Sequence, residues 1–238
     1  MSAERSKPGS SRRRLSRGLH PDRLVDVSDG DELARANMRE RRTKHARFRE
    51  AVFADARVTA AYRPSEFHRI RAGGERALGG ARSWARVLRL AWKSDAFLAL
   101  MLYRAKARLQ SLGVPVLPMV AHRLAMTIAQ VSIGDPVLVH PGVYLLHGQV
   151  VIDGLVEVSG DTVIGPFVTI GLVAGELVGP TIGRGVRIGT GAKILGPLVV
   201  GAGAVIGANS VVLSDVPAGA TAVGVPARTL PRDSRRSS

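Results

Sequence analysis

The sequence predicts an α+β chain: an N-terminal helical domain over 21–130, followed by a parallel β-helix of hexapeptide repeats over 131–230. Three observations carry this expectation. Aliphatic residues recur every six positions after Gln130. Before that point, apolar residues recur with the period of an α-helix instead. Charge also changes at the same place: residues 131–238 hold seven basic and seven acidic side chains, which leaves 27 basic and 12 acidic in 1–130.

The six-residue repeat can be followed slot by slot. Ile133, Val139, Leu145 and Val151 form one run. A single extra residue shifts the phase, and Val158, Ile164 and Ile170 follow. After a gap of twelve come Ile182, Ile188, Ile194, Val200, Ile206 and Val212. Two positions before the later slots stand small or aliphatic residues: Val186, Ala192, Leu198, Ala204 and Ser210. A period of six matches neither the 3.6 of a helix nor a paired meander. It matches a triangular prism in which each face takes about six residues and turns one aliphatic inward. Identical slots then stack from coil to coil. The slot at 176 is broken by Glu176. The surrounding stretch, Gly171 to Thr181, reads GLVAGELVGPT and is expected to be a loop extruded from a corner.

Upstream, one helix is expected from about Asp31 to Arg63 and ended by Pro64. A second fits Ala81 to Leu112, with Trp84, Val87, Leu88, Ala91, Trp92, Leu98, Ala99 and Leu102 on its apolar face. A short helix fits Leu117 to Ala129. Residues 1–20 and 231–238 are rich in Arg and Ser and are expected to be disordered tails.

Composition excludes several classes. There are no cysteines, so disulfides, thiolate metal sites and a thiol nucleophile are out. The longest central apolar run, Ala96 to Tyr103, is too short for a membrane span, which needs ~20 residues. No apolar segment follows the basic N-terminus as a secretory signal requires, so a cytoplasmic location is expected. The excess positive charge of the first half suits nucleic acid, anionic lipid or an acidic partner. It equally suits a solvated, Arg-rich helical surface. The solvated surface is preferred, because no aromatics interleave with the arginines as stacking platforms. Neither a nucleic-acid nor a membrane partner is expected.

The segment GPTIGRGVRIGTGAKILGPLVVGAGAVIGANSVVLSDVPAGATAVGVPAR, Gly179 to Arg228, closely resembles the C-terminal part of serine O-acetyltransferases. It also resembles related hexapeptide acetyltransferases that act on sugars. VHPGVYLLHGQVVIDG resembles the stretch in which that family places an IHP element before its catalytic histidine. The resemblance implies a left-handed coil, acetyl-CoA as co-substrate, no metal, and a homotrimer or a hexamer of two trimers. It places the catalytic histidine at His147, where an imidazole can take the proton of an attacking hydroxyl. It places CoA near Gly191, Ala192, Lys193, Gly207, Ala208 and Arg228. The two cations there can meet phosphates, or be ordinary exposed charges. His140, within the IHP-like element, is read as structural.

The chain departs from the family at four points. Leu146 stands where an aspartate precedes the histidine. Leu138 stands where an aspartate orients it. In the loop with Glu176, Val178 and Gly179 replace the Arg-His pair before Pro180, and the loop is shorter. Asp135, Asp153 and Glu157 are the candidates to orient the imidazole instead, within one chain or across a subunit boundary. The expected function is a CoA-dependent O-acetyltransferase resembling serine O-acetyltransferase. The alternatives are acetylation of a sugar or secondary-metabolite hydroxyl, and a catalytically silent β-helix that serves as a binding module. Outside the motif, a lone histidine at position 147 also reads as a simple corner residue.

Overall fold

The structure, a computed structural model, describes residue 40, residues 44–62 and residues 81–230. The expected tails, and part of the helix expected from Asp31, lie outside the described residues. Helix α1 spans Phe48–Tyr62. It buries Ala51, Val52, Asp55, Ala56, Thr59 and Ala60, pairs of neighbours spaced four apart that share one face. His45 to Arg47 are not helical, so the expected helix does not run unbroken to Arg63.

The helix expected over Ala81 to Leu112 is two helices, α2 (Ala81–Lys93) and α3 (Asp95–Ser111). Ser94 separates them. Its backbone is extended, with φ −136° and ψ 101°, and its hydroxyl accepts from Phe97 N at 3.4 Å. Asp95 follows in the first turn, where an acid suits the helix dipole. The break re-aims α2. Trp92 is 90% exposed and Leu88 57%, so neither belongs to the apolar face. That face is Val87, Leu90 and Ala91, packed with Val52, Phe53 and Phe97. Helix α4 spans Leu117–Ala129 as expected, with proline in its first turn. It ends at Gln130, whose left-handed φ of 54° swings the chain into the first strand. Among the described residues no helix is long and apolar enough to cross a membrane.

The rest is a parallel β-helix with three faces. The first face stacks β1 (Val131–Ile133), β4 (Val150–Ile152), β7 (Thr169–Gly171), β10 (Lys193–Leu195) and β13 (Val211–Val212). The second stacks β2 (Leu138–Val139), β5 (Leu155–Val158), β8 (Val178–Ile182) and β11 (Val199–Val200). The third stacks β3 (Tyr144–Leu145), β6 (Val163–Ile164), β9 (Arg187–Ile188), β12 (Val205–Ile206) and β14 (Thr221–Gly224). Strand β15 (Ala227–Leu230) returns antiparallel on β14.

The repeat slots face inward and stack, as with Ile133, Ile152, Ile170, Ile194 and Val212 on the first face. One slot differs from expectation. Ile152 is 1% exposed and Val151 is 42%, so Val151 points outward. Registers explain this. Val131 pairs with Val150, a step of 19, whereas Val199 pairs with Thr181, a step of 18. The extra residue sits in the corner between Leu145 and Val150, before β4. Any of three consecutive aliphatics, Val150 to Ile152, is able to fill the slot on sequence grounds. The extruded loop is present but short. Gly171 belongs to β7, and Val178 and Gly179 belong to β8, leaving 172–177 outside the strands.

Buried polar contacts clamp the helices to the first coil. Tyr103 donates its hydroxyl to Val137 O at 2.9 Å, and Lys106 Nζ donates to Ile133 O at 2.6 Å. Arg104 donates to His140 O at 2.8 Å, to Val139 O, and to Asp55 at 3.0 Å. Asp55 accepts the amides of Gly142 and Val143 at 2.8 and 3.1 Å. Burial pushes the Asp55 carboxyl above its ordinary range, against the pull of Arg104 and the two amides. A pair this deep fixes geometry more than it adds stability.

Candidate active site

His147 sits in the longer corner, just after β3, with its side chain exposed. Two contacts hold that corner to the end of α4. Gln149 N donates to Ala129 O at 2.9 Å, and Gln149 has a φ of 62°. A Cβ on Gly148 would lie 1.8 Å from the same carbonyl oxygen, so only glycine fits. On the other side, Leu146 N donates to Ile164 O at 3.0 Å, tying the corner to the next coil.

His147 lines a cavity of about 560 Å³, within the ordinary range for small-molecule sites. Its walls are the end of α2 and start of α3 (Lys93, Ser94, Asp95), the end of α4 (Ile128, Gln130), and the corners carrying Gln149 and Phe167. Asp95 is the carboxylate on this cavity. It was not legible as a site residue in the sequence, because an acid opening a helix already has a dipole to complement. The three carboxylates expected to orient His147 do not line the cavity. Asp135 bonds Lys106 Nζ at 2.8 Å. Its half-burial raises its pKa, but Lys106, Gln110 and His122 outweigh that and hold it below the ordinary value. Glu157 Oε1 lies 2.7 Å from His140 Nε2. The Asp153 carboxylate lies against Gly134.

Of the residues expected near CoA, Gly191 shares an edge of the prism with the His147 corner. By register, Gln149, Phe167, Gly191 and Asn209 occupy one edge of the prism, at φ values of 62°, 59°, 74° and 54°. Pro166 O accepts from Gly191 N at 2.9 Å, and Thr190 O from Asn209 N at 2.8 Å. At ~4.8 Å per coil, Gly191 and Ala208 lie about 10 and 14 Å along the edge from His147. Gly207 and Ala208 border the outermost of these corners, and Ala208 is exposed. Ala192 differs in that the whole residue is buried, so it offers no open surface to a ligand. Lys193 points out of the first face, and its Nζ donates to Phe167 O at 2.6 Å. Arg228 is exposed on β15.

The loop is elsewhere. It leaves the first face after β7 and enters the second at β8, a different corner from that of His147. Glu176 is exposed, with its N–H donating to Val173 O at 3.1 Å. Val178 is exposed opposite Leu155. Gly179 is buried, and a Cβ there would lie 2.5 Å from Val156 Cγ2. One chain therefore does not bring these three residues to His147.

A family model described as bacterial transferase hexapeptide (six repeats) matches residues 179–214. A serine acetyltransferase of Synechocystis sp. is 39% identical over 153 residues, covering 63% of this chain and 60% of its own length. The soybean serine acetyltransferase apoenzyme superposes with a TM-score of 0.62 at 30% identity, covering 77% of this chain and 69% of that one. This chain belongs to the serine acetyltransferase-like hexapeptide-repeat family. A further serine acetyltransferase structure, in complex with CoA, is 35% identical with a TM-score of 0.53, covering 57% of each chain. The chain spans about 60% of the length of the curated relatives it matches. The loop corner carries Val178 and Gly179, and positions 138 and 146 are leucines.

Proposed function

We propose that this chain transfers the acetyl group of acetyl-CoA to a hydroxyl, with His147 as the general base. The observation that carries this is the shared edge. His147 opens onto a cavity at one end of a row of positive-φ corners, and Lys193 lies beside that row. A family member solved with CoA supports the choice of donor.

The imidazole takes the hydroxyl proton as the oxygen attacks the thioester carbon. The C–O bond forms, and the carbonyl π electrons move onto oxygen. Collapse expels the CoA thiolate, which recovers the proton from the imidazolium. Asp95, on the same cavity, is placed to receive a cationic or hydroxyl group of the acceptor. Pantetheine would run past Gly191, Gly207 and Ala208, with Lys193 and Arg228 toward the phosphates.

We further propose a homotrimer as the working unit. The His147 edge and the loop with Glu176 lie on different corners of one prism. A three-fold assembly is able to set one copy's loop against the next copy's edge. Light scattering should then give three times 25.2 kDa, and a single-chain mass would contradict it.

The transfer is tested by following thiol release from acetyl-CoA with a panel of hydroxyl acceptors. Acceptor-dependent release is expected. Silence with every acceptor, together with no binding of acetyl-CoA, would leave a binding module.

A further inference from the structure

Four corners share the His147 edge, and all four need a positive φ. Three are filled by Gln149, Gly191 and Asn209, residue types with flexible or hydrogen-bonding side chains, or none. The fourth is Phe167, at φ 59°. A bulky aromatic is disfavoured in this backbone region, because its Cβ crowds the following carbonyl. It is not placed there for packing, since its side chain is 55% exposed and lines the His147 cavity. Its carbonyl is fixed by Lys193 Nζ, so the turn is held while the ring stays outside the core. Strain kept at a cavity wall points to a role in that cavity.

The other walls narrow the chemistry. Gln149 and Gln130 are exposed, and their side-chain amides carry no hydrogen-bond partner among the described residues. Ile128 adds an apolar surface. The cavity is much larger than a three-carbon amino acid requires. Lys93 and Asp95 also line the cavity, and the Asp95 carboxylate is able to accept from hydroxyls. An apolar ring face beside two amides and a carboxylate fits a molecule with one C–H face and a rim of hydroxyls.

We propose that Phe167 is the acceptor platform, and that the acceptor hydroxyl belongs to a pyranose ring stacked on it. This rests on the acetyl transfer proposed above and names its substrate class. The C–H face of the sugar lies on the electron-rich face of the aromatic ring. The hydroxyl rim meets Gln149 and Gln130, and one hydroxyl reaches His147.

The test follows thiol release from acetyl-CoA with methyl glucopyranoside, methyl galactopyranoside and L-serine. It uses the full chain and its Phe167→Asn and Phe167→Tyr variants. Asparagine is the residue that Asn209 already provides on this edge, so folding should be preserved. A pyranoside is expected to give the larger kcat/KM. Phe167→Asn should lower that value by about tenfold through KM, with the KM for acetyl-CoA unchanged, and Phe167→Tyr should retain it. Turnover with serine alone would overturn the inference and leave acetyl transfer standing. A rise in KM for acetyl-CoA instead would move Phe167 to the pantetheine path and also overturn it. Thiol release with no acceptor at all would remove the acetyl transfer and this inference together.

Discussion

The coils from Ile182 to Val212 and the coil from Val131 to Ile152 use the same inward packing with different corners. In the later coils, strands pair at steps of 18, and glycines such as Gly191 and Gly203 take the positive-φ turns. In the first coil the step is 19, and the added residue makes a corner that docks on α4 and exposes His147. The regular coils hold the molecule together, and the irregular one carries the proposed general base. A repeat committed to stacking has little freedom to aim a side chain, whereas one extra residue beyond the repeat has that freedom.

Four changes sharpen this contrast, taken from the largest expected effect to the smallest. Ile194 is fully buried mid-stack, so Ile194→Ala should cost about 2–5 kcal/mol in chemical denaturation. Little relaxation is open to it, because the coils above and below are fixed by their own ladders. Gly148→Ala pushes a Cβ into Ala129 O, and backbone must move. Displacing His147 by about 1 Å should lower turnover by about a hundredfold. Gly203, in a regular corner, has a φ of 68° but open space around its Cβ position. Gly203→Ala should therefore cost only about 1–2 kcal/mol of stability and leave turnover unchanged.

The smallest effect concerns pH. His45 is pushed down to about 4, first by burial and then by the charges of Arg104, Lys106 and His140. Its Nδ1 has no hydrogen-bond partner, and its ring meets Tyr103 edge-on at 6.1 Å. The folded chain thus holds this imidazole neutral, while the unfolded chain protonates it below about 6.5. Its contribution to stability is present above that pH and is lost as pH falls toward 4. His45→Phe should flatten the loss of stability between pH 6.5 and 4, measured by urea denaturation across that window. An unchanged slope would assign the acid sensitivity to other groups.

The fold was legible because a six-residue spacing with one inward aliphatic is satisfied by a three-faced prism and by little else. Every inward slot from Val158 onward stands where the period puts it. At two places the pattern is silent. Val150, Val151 and Ile152 are all aliphatic, so only the register shows which pair faces in. Ser94 sits inside an amphipathic pattern that continues on both sides of it, and only its extended backbone reveals the break. His147 was singled out by its motif, and the structure sets it on a cavity. That Asp95 and Phe167 line the same cavity was not legible, since an acid belongs at a helix start and an aromatic beside aliphatics looks like core. Their shared cavity arises from long-range packing of α3 and α4 against the first coils.

The claim that chemistry resides in the irregular corner is tested most directly by His147→Ala. Thiol release from acetyl-CoA is measured with a saturating acceptor, with denaturation and acetyl-CoA binding followed on the same preparation. Turnover should fall by about 10²–10⁴-fold, while stability and acetyl-CoA affinity stay near those of the unaltered chain. Wild-type turnover in a folded His147→Ala chain would contradict it and take the general base away from this corner.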